Sequence, residues 1–503
     1  MLTEQRLDLL VVGGGPAGMS AARTAADVGM RVLLVDERPT LGGQIYKQPG
    51  PGARVTDPAA ADRSTAYGRS LIEAAQASAA DLVLRTSVVA VEQDDDGFAV
   101  VVVPDGERAT TLRTRRLLLS CGAHDRPVVF PGWTLPGVVT AGGMQSMAKS
   151  QFVLPGRRMV FAGSGPVALA FPAQLAHYGA DIAVALEAGP APRPGDAAQV
   201  ARIARGNTDL LRDAARYRAT LLRHRVPLRY GRVVVRAEGD GRVERVVHAA
   251  VDRDWRVLPG TEQSVEADVL CIGYGFVPSL ELLRLAGCET DFDEDLGGRV
   301  ARKDDWGRTS VSGVYAAGDG TGVEGSYVAI DEGVLAALAA ARDAGVLDER
   351  AADERAVPAR RRLRRRRALA RSTRRLFRVG PGIYDLADGD TVVCRCEGIT
   401  QAEVGRAADA TDDVSVVKAL TRAGMGPCQG RNCARHVAAT IAKAHDRPVG
   451  TVDFATARMP VRPVPISAMA DADVADPGLF VADHEADGAD GADVAVAREE
   501  GPL

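Results

Sequence analysis

The sequence predicts an α/β protein with two dinucleotide-binding units and a small cysteine-bearing domain at the C-terminal end. Three observations lead there: a strand, glycine turn, helix and strand near the start, the same pattern repeated near residue 160, and four of seven cysteines gathered between 394 and 433. At 503 residues the chain exceeds what one hydrophobic core supports, so two or three domains are expected.

Residues 7–37, LDLLVVGGGPAGMSAARTAADVGMRVLLVDE, form the first βαβ pattern. Gly13, Gly15 and Gly18 stand in G-x-G-x-x-G register. The first permits the tight turn, the second lets backbone approach a pyrophosphate, and the third allows close packing of helix on strand. The helix N-terminus behind them favours an anion through its free N–H groups and dipole. Asp36 ends the second strand, where a carboxylate can accept hydrogen bonds from a ribose diol, and Glu37 is the neighbouring candidate if the strand ends one residue later.

The fingerprint does not separate FAD from NAD; distant segments decide. TSVSGVYAAGDGTGVEG carries Gly318 and Asp319 after a short apolar strand and before a helix. It resembles the second FAD signature of two-dinucleotide-domain flavoproteins, in which the aspartate holds the ribityl chain. LLLSCGAHDRPVVFPG is similar to that superfamily's A-T-G strand and turn, altered here to Ser120-Cys121-Gly122. FAD is therefore the expected cofactor of the first unit.

Residues 157–187 repeat the pattern, with Gly163, Gly165 and Ala168 in G-x-G-x-x-A spacing and Glu187 closing the second strand. An acid there suits the free 2′-hydroxyl of NAD, whereas Pro172 is expected to interrupt the helix and removes a backbone donor. NAD, another adenine nucleotide, or a purely structural unit all remain open. The order of elements gives an FAD domain from 1–152 and 264–345, interrupted by a Rossmann-like domain at 153–263.

Many relatives of such flavoproteins place a redox disulfide beside a glycine motif. This chain has Leu41-Gly42-Gly43-Gln44-Ile45-Tyr46 instead, with Gly43 and Gln44 as candidate flavin contacts. Cys121, Cys271 and Cys288 are isolated and read as small core residues. His124 and Asp125 follow Cys121 without forming a recognisable general base, so no catalytic residue is assigned.

Cys394-Arg395-Cys396 and Cys428-Gln429-Gly430-Arg431-Asn432-Cys433 give C-x-C and C-x4-C pairs. Four thiolates so arranged can hold a [2Fe–2S] cluster. Zinc is the rival, although its knuckles usually space the cysteines by two to four residues.

The motifs GGGPAGMSAA, LGGQIY, FPGWTLPGVVTAGG, AGSGPVALA, AAGDG, CRCEGIT and GMGPCQGRNC occur in order across residues 7–465. In this the chain resembles the FAD/[2Fe–2S] subunit of opine oxidases, D-hydroxyproline dehydrogenase and hydrogen cyanide synthase, a family related to the alpha subunit of heteromeric sarcosine oxidase. The cysteine segment is similar to the bacterioferritin-associated ferredoxin type, which puts a [2Fe–2S] domain at 386–467. The resemblance implies a hetero-oligomer: a D-amino-acid-oxidase-like flavoprotein subunit oxidises an amine or imino acid, and this chain carries the electrons away. It also implies room for a small third subunit and for FMN at a subunit interface.

Between the flavin and cysteine domains, 346–385 reads as a linker whose residues 359–378 hold eleven arginines. A solvated face is the ordinary meaning of such a run; docking to an acidic partner, or to lipid headgroups, is the sharper one. From 468 to 503 the chain is rich in Ala, Asp and Gly, and a disordered acidic tail is expected. The net charge of -4 gives no reason to propose nucleic acid as a partner. No stretch has the length of a membrane span and the start lacks a signal-peptide pattern, so the cytoplasm is the default location, with attachment at the inner membrane face as its variant. Two other functions stay open: a stand-alone NAD(P)H-dependent FAD/Fe–S reductase and a redox-sensing protein.

Overall fold

The computed structural model describes residues 7–50, 63–191, 195 and 208–470. The apolar runs 9–12 and 32–35 become fully buried parallel neighbours, as expected for strands covered on both faces. They lie in a five-stranded parallel sheet ordered Val314–Ala316, Leu117–Leu119, Leu9–Val12, Val32–Val35, Asp81–Val83. The chain leaves Leu9–Val12 first to one side and later returns to the other. This creates the switch-point crevice at the carboxyl ends of the strands where α/β proteins bind ligands. The alanine-rich helices Pro16–Asp27 and Ser326–Asp343 pack together on one face, small side chains letting their axes approach. The antiparallel strands Thr86–Asp94, Gly97–Pro104 and Thr110–Thr114 cover part of the other face.

The second unit repeats this plan in the order Leu228–Tyr230, Asp181–Glu187, Arg158–Gly163, Val269–Gly273, Val138–Thr140. Its strands at 138–140 and 269–273 lie beyond the 153–263 limits that the sequence suggests. Arg158–Gly163 needs parallel neighbours on both sides, and short apolar strands do not announce which sheet they will join. Pro172 does not break the helix, which runs continuously from Pro166 to His177. The proline is buried there among apolar neighbours, so tertiary packing overrides local preference.

The arginine-rich segment is no linker. It forms a helix, Glu349–Leu376, started by the Asp348 side chain accepting from Ala351 N at 2.7 Å. Ala352, Ala356, Ala359 and Leu363 bury one stripe against the flavin half. Its arginines reach inward: Arg362 and Arg366 both pair with Asp331, which is wholly buried, at 2.8 and 2.6 Å. Arg367 bridges Glu324 and Glu332, and Arg374 reaches Glu324 at 3.2 Å. The carboxylates that order this run thus come from the chain itself, from residues that sequence spacing does not bring near it.

The C-terminal domain joins a small antiparallel pair, Val392–Cys394 and Ile399–Thr400, to helices Gln401–Ala410, Val414–Thr421 and Ala434–Ala444. Thr400 and Glu403 close a capping box at the first of these. The expected tail lies outside the described residues from 471 onward, while Ala468 is buried against the 86–114 sheet, its carbonyl accepting from Ala109 N at 2.8 Å. Among the described residues no helix is long and apolar enough to cross a membrane.

Candidate functional site

The first glycine turn is built from contacts that admit no side chain. Gly13 has φ +104°, and a Cβ there would lie 2.5 Å from the Ser120 carbonyl oxygen; on Gly18 it would lie 1.8 Å from Gly13 O. Ser120 closes the arrangement by donating its hydroxyl to Val12 O at 2.9 Å and Gly13 O at 3.0 Å. The nearest neighbour to a Cβ on Gly15 would be the Gly43 Cα, at 3.9 Å. The helix behind it begins at Pro16 with no side-chain cap and no acid in its first turn, leaving its N–H groups to an anion.

The other expected contacts converge on this turn. Gly43 packs on Gly15, and Gly318, at φ +80°, packs on Ala17. Gly122 lies against Gly320 across the crevice. Asp319 accepts from Glu324 N at 3.0 Å and Gly325 N at 2.9 Å through one oxygen, and burial pushes its carboxyl above the ordinary aspartate range. Gln44 is exposed beside them. A glycine cradle, an uncapped helix end and a second glycine-aspartate turn fit the elongated diphosphate of FAD.

Asp36 is bound to the backbone of its own turn. Its oxygens accept from Gly14 N and from Arg38 N, the latter at 2.7 Å, and burial raises its pKa. Its carboxylate therefore fixes the turn. Glu37 is more exposed, with Arg462 of the C-terminal domain 3.2 Å away. Glu187 does in the second unit what Asp36 does in the first, accepting from Gly165 N at 2.9 Å and Gly189 N at 2.8 Å. Burial pushes it up to about 7.

Sequence reasoning does not single out Lys47, although a lysine in the half-apolar run after Gly43 was its signal. It is 4% exposed, donates to Gly142 O at 3.1 Å and to the Ser146 hydroxyl, and desolvation lowers its pKa to about 8. Cys121, Cys271 and Cys288 are core residues in their chemistry, burial raising each thiol, Cys121 to about 12. Asp125 is engaged by Gly142 N at 3.0 Å, and burial lowers the pKa of His124.

The four clustered cysteines lie close enough to act on one another. Cys433 and the backbone N–H groups of Gly424, Glu397 and Cys396 hold the Cys394 thiol down to about 5. Cys396 lies beside Cys428. Among the described residues no three His, Cys, Asp or Glu side chains converge on a point that would hold a single metal ion. The domain bearing these cysteines is stapled to the flavin half: Arg435 reaches Gly297 O at 2.8 Å and Glu294, Arg431 reaches Glu281 at 2.8 Å, and Arg284 donates to Phe454 O and Ala455 O, both at 2.9 Å.

With this geometry in view, residues 7–333 match the pyridine nucleotide-disulphide oxidoreductase family and residues 389–473 match the sarcosine oxidase A3 domain. The hydrogen cyanide synthase subunit HcnB of Pseudomonas protegens is 34% identical, covering 93% of this chain and 98% of its own. An opine oxidase subunit of Rhizobium meliloti is 33% identical over 92% of this chain and 98% of its own. The alpha subunit of a Corynebacterium sarcosine oxidase is 29% identical over 67% of this chain, which spans 33% of that longer protein. Among solved structures, L-proline dehydrogenase from P. horikoshii superposes with a TM-score of 0.66 at 20% identity, covering 92% of this chain and 79% of that one, a likeness of fold. The chain belongs to the pyridine nucleotide-disulphide oxidoreductase family of FAD-dependent oxidoreductases, in the group that contains these opine oxidase and hydrogen cyanide synthase subunits.

Proposed function

We propose that this chain is the electron-transferring flavoprotein and iron–sulfur subunit of a heteromeric dehydrogenase or oxidase that acts on the C–N bond of an amine or imino acid. The observation that carries this reading is the gathering of Cys394, Cys396, Cys428 and Cys433 in a domain tied to the flavin half through Arg435 and Glu294. A [2Fe–2S] cluster takes two thiolates on each iron, and the C-x-C spacing of Cys394 and Cys396 is less usual for a tetrahedral zinc site. Backbone N–H groups aimed at the Cys394 sulfur would stabilise thiolate there. When bound, FAD supplies hydride and single-electron chemistry, and the cluster single-electron transfer.

The chain's own residues hold and orient. The glycine turn would seat the diphosphate, Glu37 the ribose and Asp319 the ribityl side, while Asp36 fixes the turn. No acid–base pair stands beside the first glycine turn among the described residues: Asp125 is bound to backbone and the Cys121 thiol is held protonated. Substrate oxidation therefore falls to a partner, and relatives named as subunits of opine oxidase, hydrogen cyanide synthase and sarcosine oxidase support that division. The partner would be a D-amino-acid-oxidase-like flavoprotein, with FMN at the interface in the fullest version.

The test is anaerobic purification of the chain with its co-purifying partners, followed by FAD, iron and acid-labile sulfide analysis and an amine-dehydrogenase screen. Two irons and two sulfides per chain, lost in C394S and C428S, are expected. Zinc in place of iron, or full amine oxidation by the isolated chain, would overturn the reading.

A further inference from the structure

Gly15 and Gly165 hold the same place in their respective turns, the place where a pyrophosphate comes closest to backbone. At Gly15 the atom within 4 Å of where a Cβ would stand is the Gly43 Cα, at 3.9 Å, and no side chain comes that near. A Cβ on Gly165 would instead meet Phe377, at 3.5 Å from its Cβ, 3.6 Å from Cγ and 4.0 Å from Cδ2. The same ring passes within 3.9 Å of where a Cβ on Gly189 would stand, so it spans the mouth of the turn from one side to the other. The turn itself has the form of a binding turn: Gly165 is the N-cap, Pro166 opens the helix, and there is no side-chain cap and no acid in the first turn. What closes it is an aromatic ring from a distant segment.

That segment is pinned at both ends. Phe377 terminates the arginine helix, its N–H bonding Thr373 O and Arg374 O at 3.2 Å, and Arg374 is anchored on Glu324 of the flavin half. Three residues later Gly380 is wedged against Asp254 and Trp255, where a Cβ would come within 2.5 Å of backbone. The backbone that carries the ring is therefore fixed on both sides of it. Glu187, the acid that would take a ribose hydroxyl, has each of its oxygens engaged by a glycine N–H of the same turn.

We propose that Phe377 is a specificity-determining residue: it occupies the pyrophosphate position of the second dinucleotide unit and shuts that unit to NAD(H) and NADP(H), so that electrons reach the flavin by another route. The inference stands on the second unit alone and does not depend on the cysteine cluster being filled with iron.

The experiment is titration of the flavin-loaded, full-length chain with NADH and NADPH, followed by nicotinamide fluorescence, for the wild type, F377A and F377L. Wild type and F377L, which keeps the bulk, should show no saturable binding below ~1 mM, whereas F377A should bind at least about tenfold more tightly. Saturable binding by the wild type in the micromolar range would overturn the proposal, as would an F377A chain of unchanged melting temperature and flavin content that binds no better than the parent. Should F377A misfold, F377S and F377V are read by the same criteria. A chain that gains NADH binding in F377A yet holds no iron would keep the plug and lose the relay.

Discussion

The two dinucleotide units have the same glycine spacing, the same strand order around the turn and the same uncapped helix behind it, yet their surroundings differ in three ways. The first sets the Gly43 Cα, at 3.9 Å, before a Cβ on Gly15, and the second sets the Phe377 side chain, at 3.5 Å, before a Cβ on Gly165. The first has glycine at its third position and Ser120 on the neighbouring strand; the second has Ala168 and Gly273, the bulk having moved from one partner to the other. The first fixes its turn with a short aspartate that reaches Gly14 N, and the second with a longer glutamate that reaches one residue further, to Gly165 N. A glycine motif thus specifies how backbone turns and leaves an anion-ready helix end. What occupies that end is decided by whatever the rest of the chain lays across it.

The sharpest way to break the comparison is G18A. Its Cβ would stand 1.8 Å from Gly13 O and 2.7 Å from the Ser120 hydroxyl, and the first contact is backbone, which cannot swing away. A loss of about 3 kcal/mol or more in the stability of the flavin domain is expected, with loss of bound FAD. Thermal melting and flavin content check it; a G18A chain that keeps both would mean that this turn is not the strained one.

A second difference lies in pH. Burial holds the Glu187 carboxyl at about 7 against an ordinary 4.5, so the folded chain binds a proton that the unfolded chain has already released. Its stabilising contribution is complete below pH 4.5 and disappears as pH rises through about 7. The resulting fall is about 3 kcal/mol at most. E187Q should flatten that slope in melting curves taken between pH 5 and 8, while giving up one of the two glycine N–H bonds. An unchanged slope would place the titrating group elsewhere.

The third prediction concerns the support of the flavin turn. Glu332 accepts from Gly318 N at 2.8 Å, and although burial favours its neutral form, Lys303 and Arg367 hold its pKa below the ordinary value. R367Q removes one of these cations from a site that is partly open to solvent, leaving Lys303 at 2.8 Å. A loss of about 1–2 kcal/mol is expected, with weaker FAD retention. Equal FAD affinity in R367Q would reduce the arginine helix to packing alone.

Much of the fold was legible because its signals are local. Buried strands, glycine spacing and an alanine helix all occur within about thirty residues of one another. The four cysteines could be read as one group for the same reason. The parts that could not be read depend on contacts across the chain. Arg366 meets Asp331, Phe377 meets Gly165, and Arg462 meets Glu37 only after folding, and no periodicity encodes those partners. Glu187 was visible as a strand-end acid, but whether such an acid faces a ribose or its own turn depends on side-chain reach, which spacing does not reveal.

The smallest effect tests the reciprocal substitution. Ala168 is buried in the first turn of its helix, and its N–H bonds Gly165 O at 3.0 Å, so the second unit accommodates the methyl group that the first forbids. A168G therefore relieves no clash; it removes a packed methyl and adds backbone freedom to a helix. The expected cost is about 1 kcal/mol, far below that of G18A. Because the Phe377 ring, not the methyl, closes this turn, A168G should leave NADH binding as absent as in the wild type. If A168G opened the site, the closing element would be the helix approach, and the difference between the two units would reside in their third position after all.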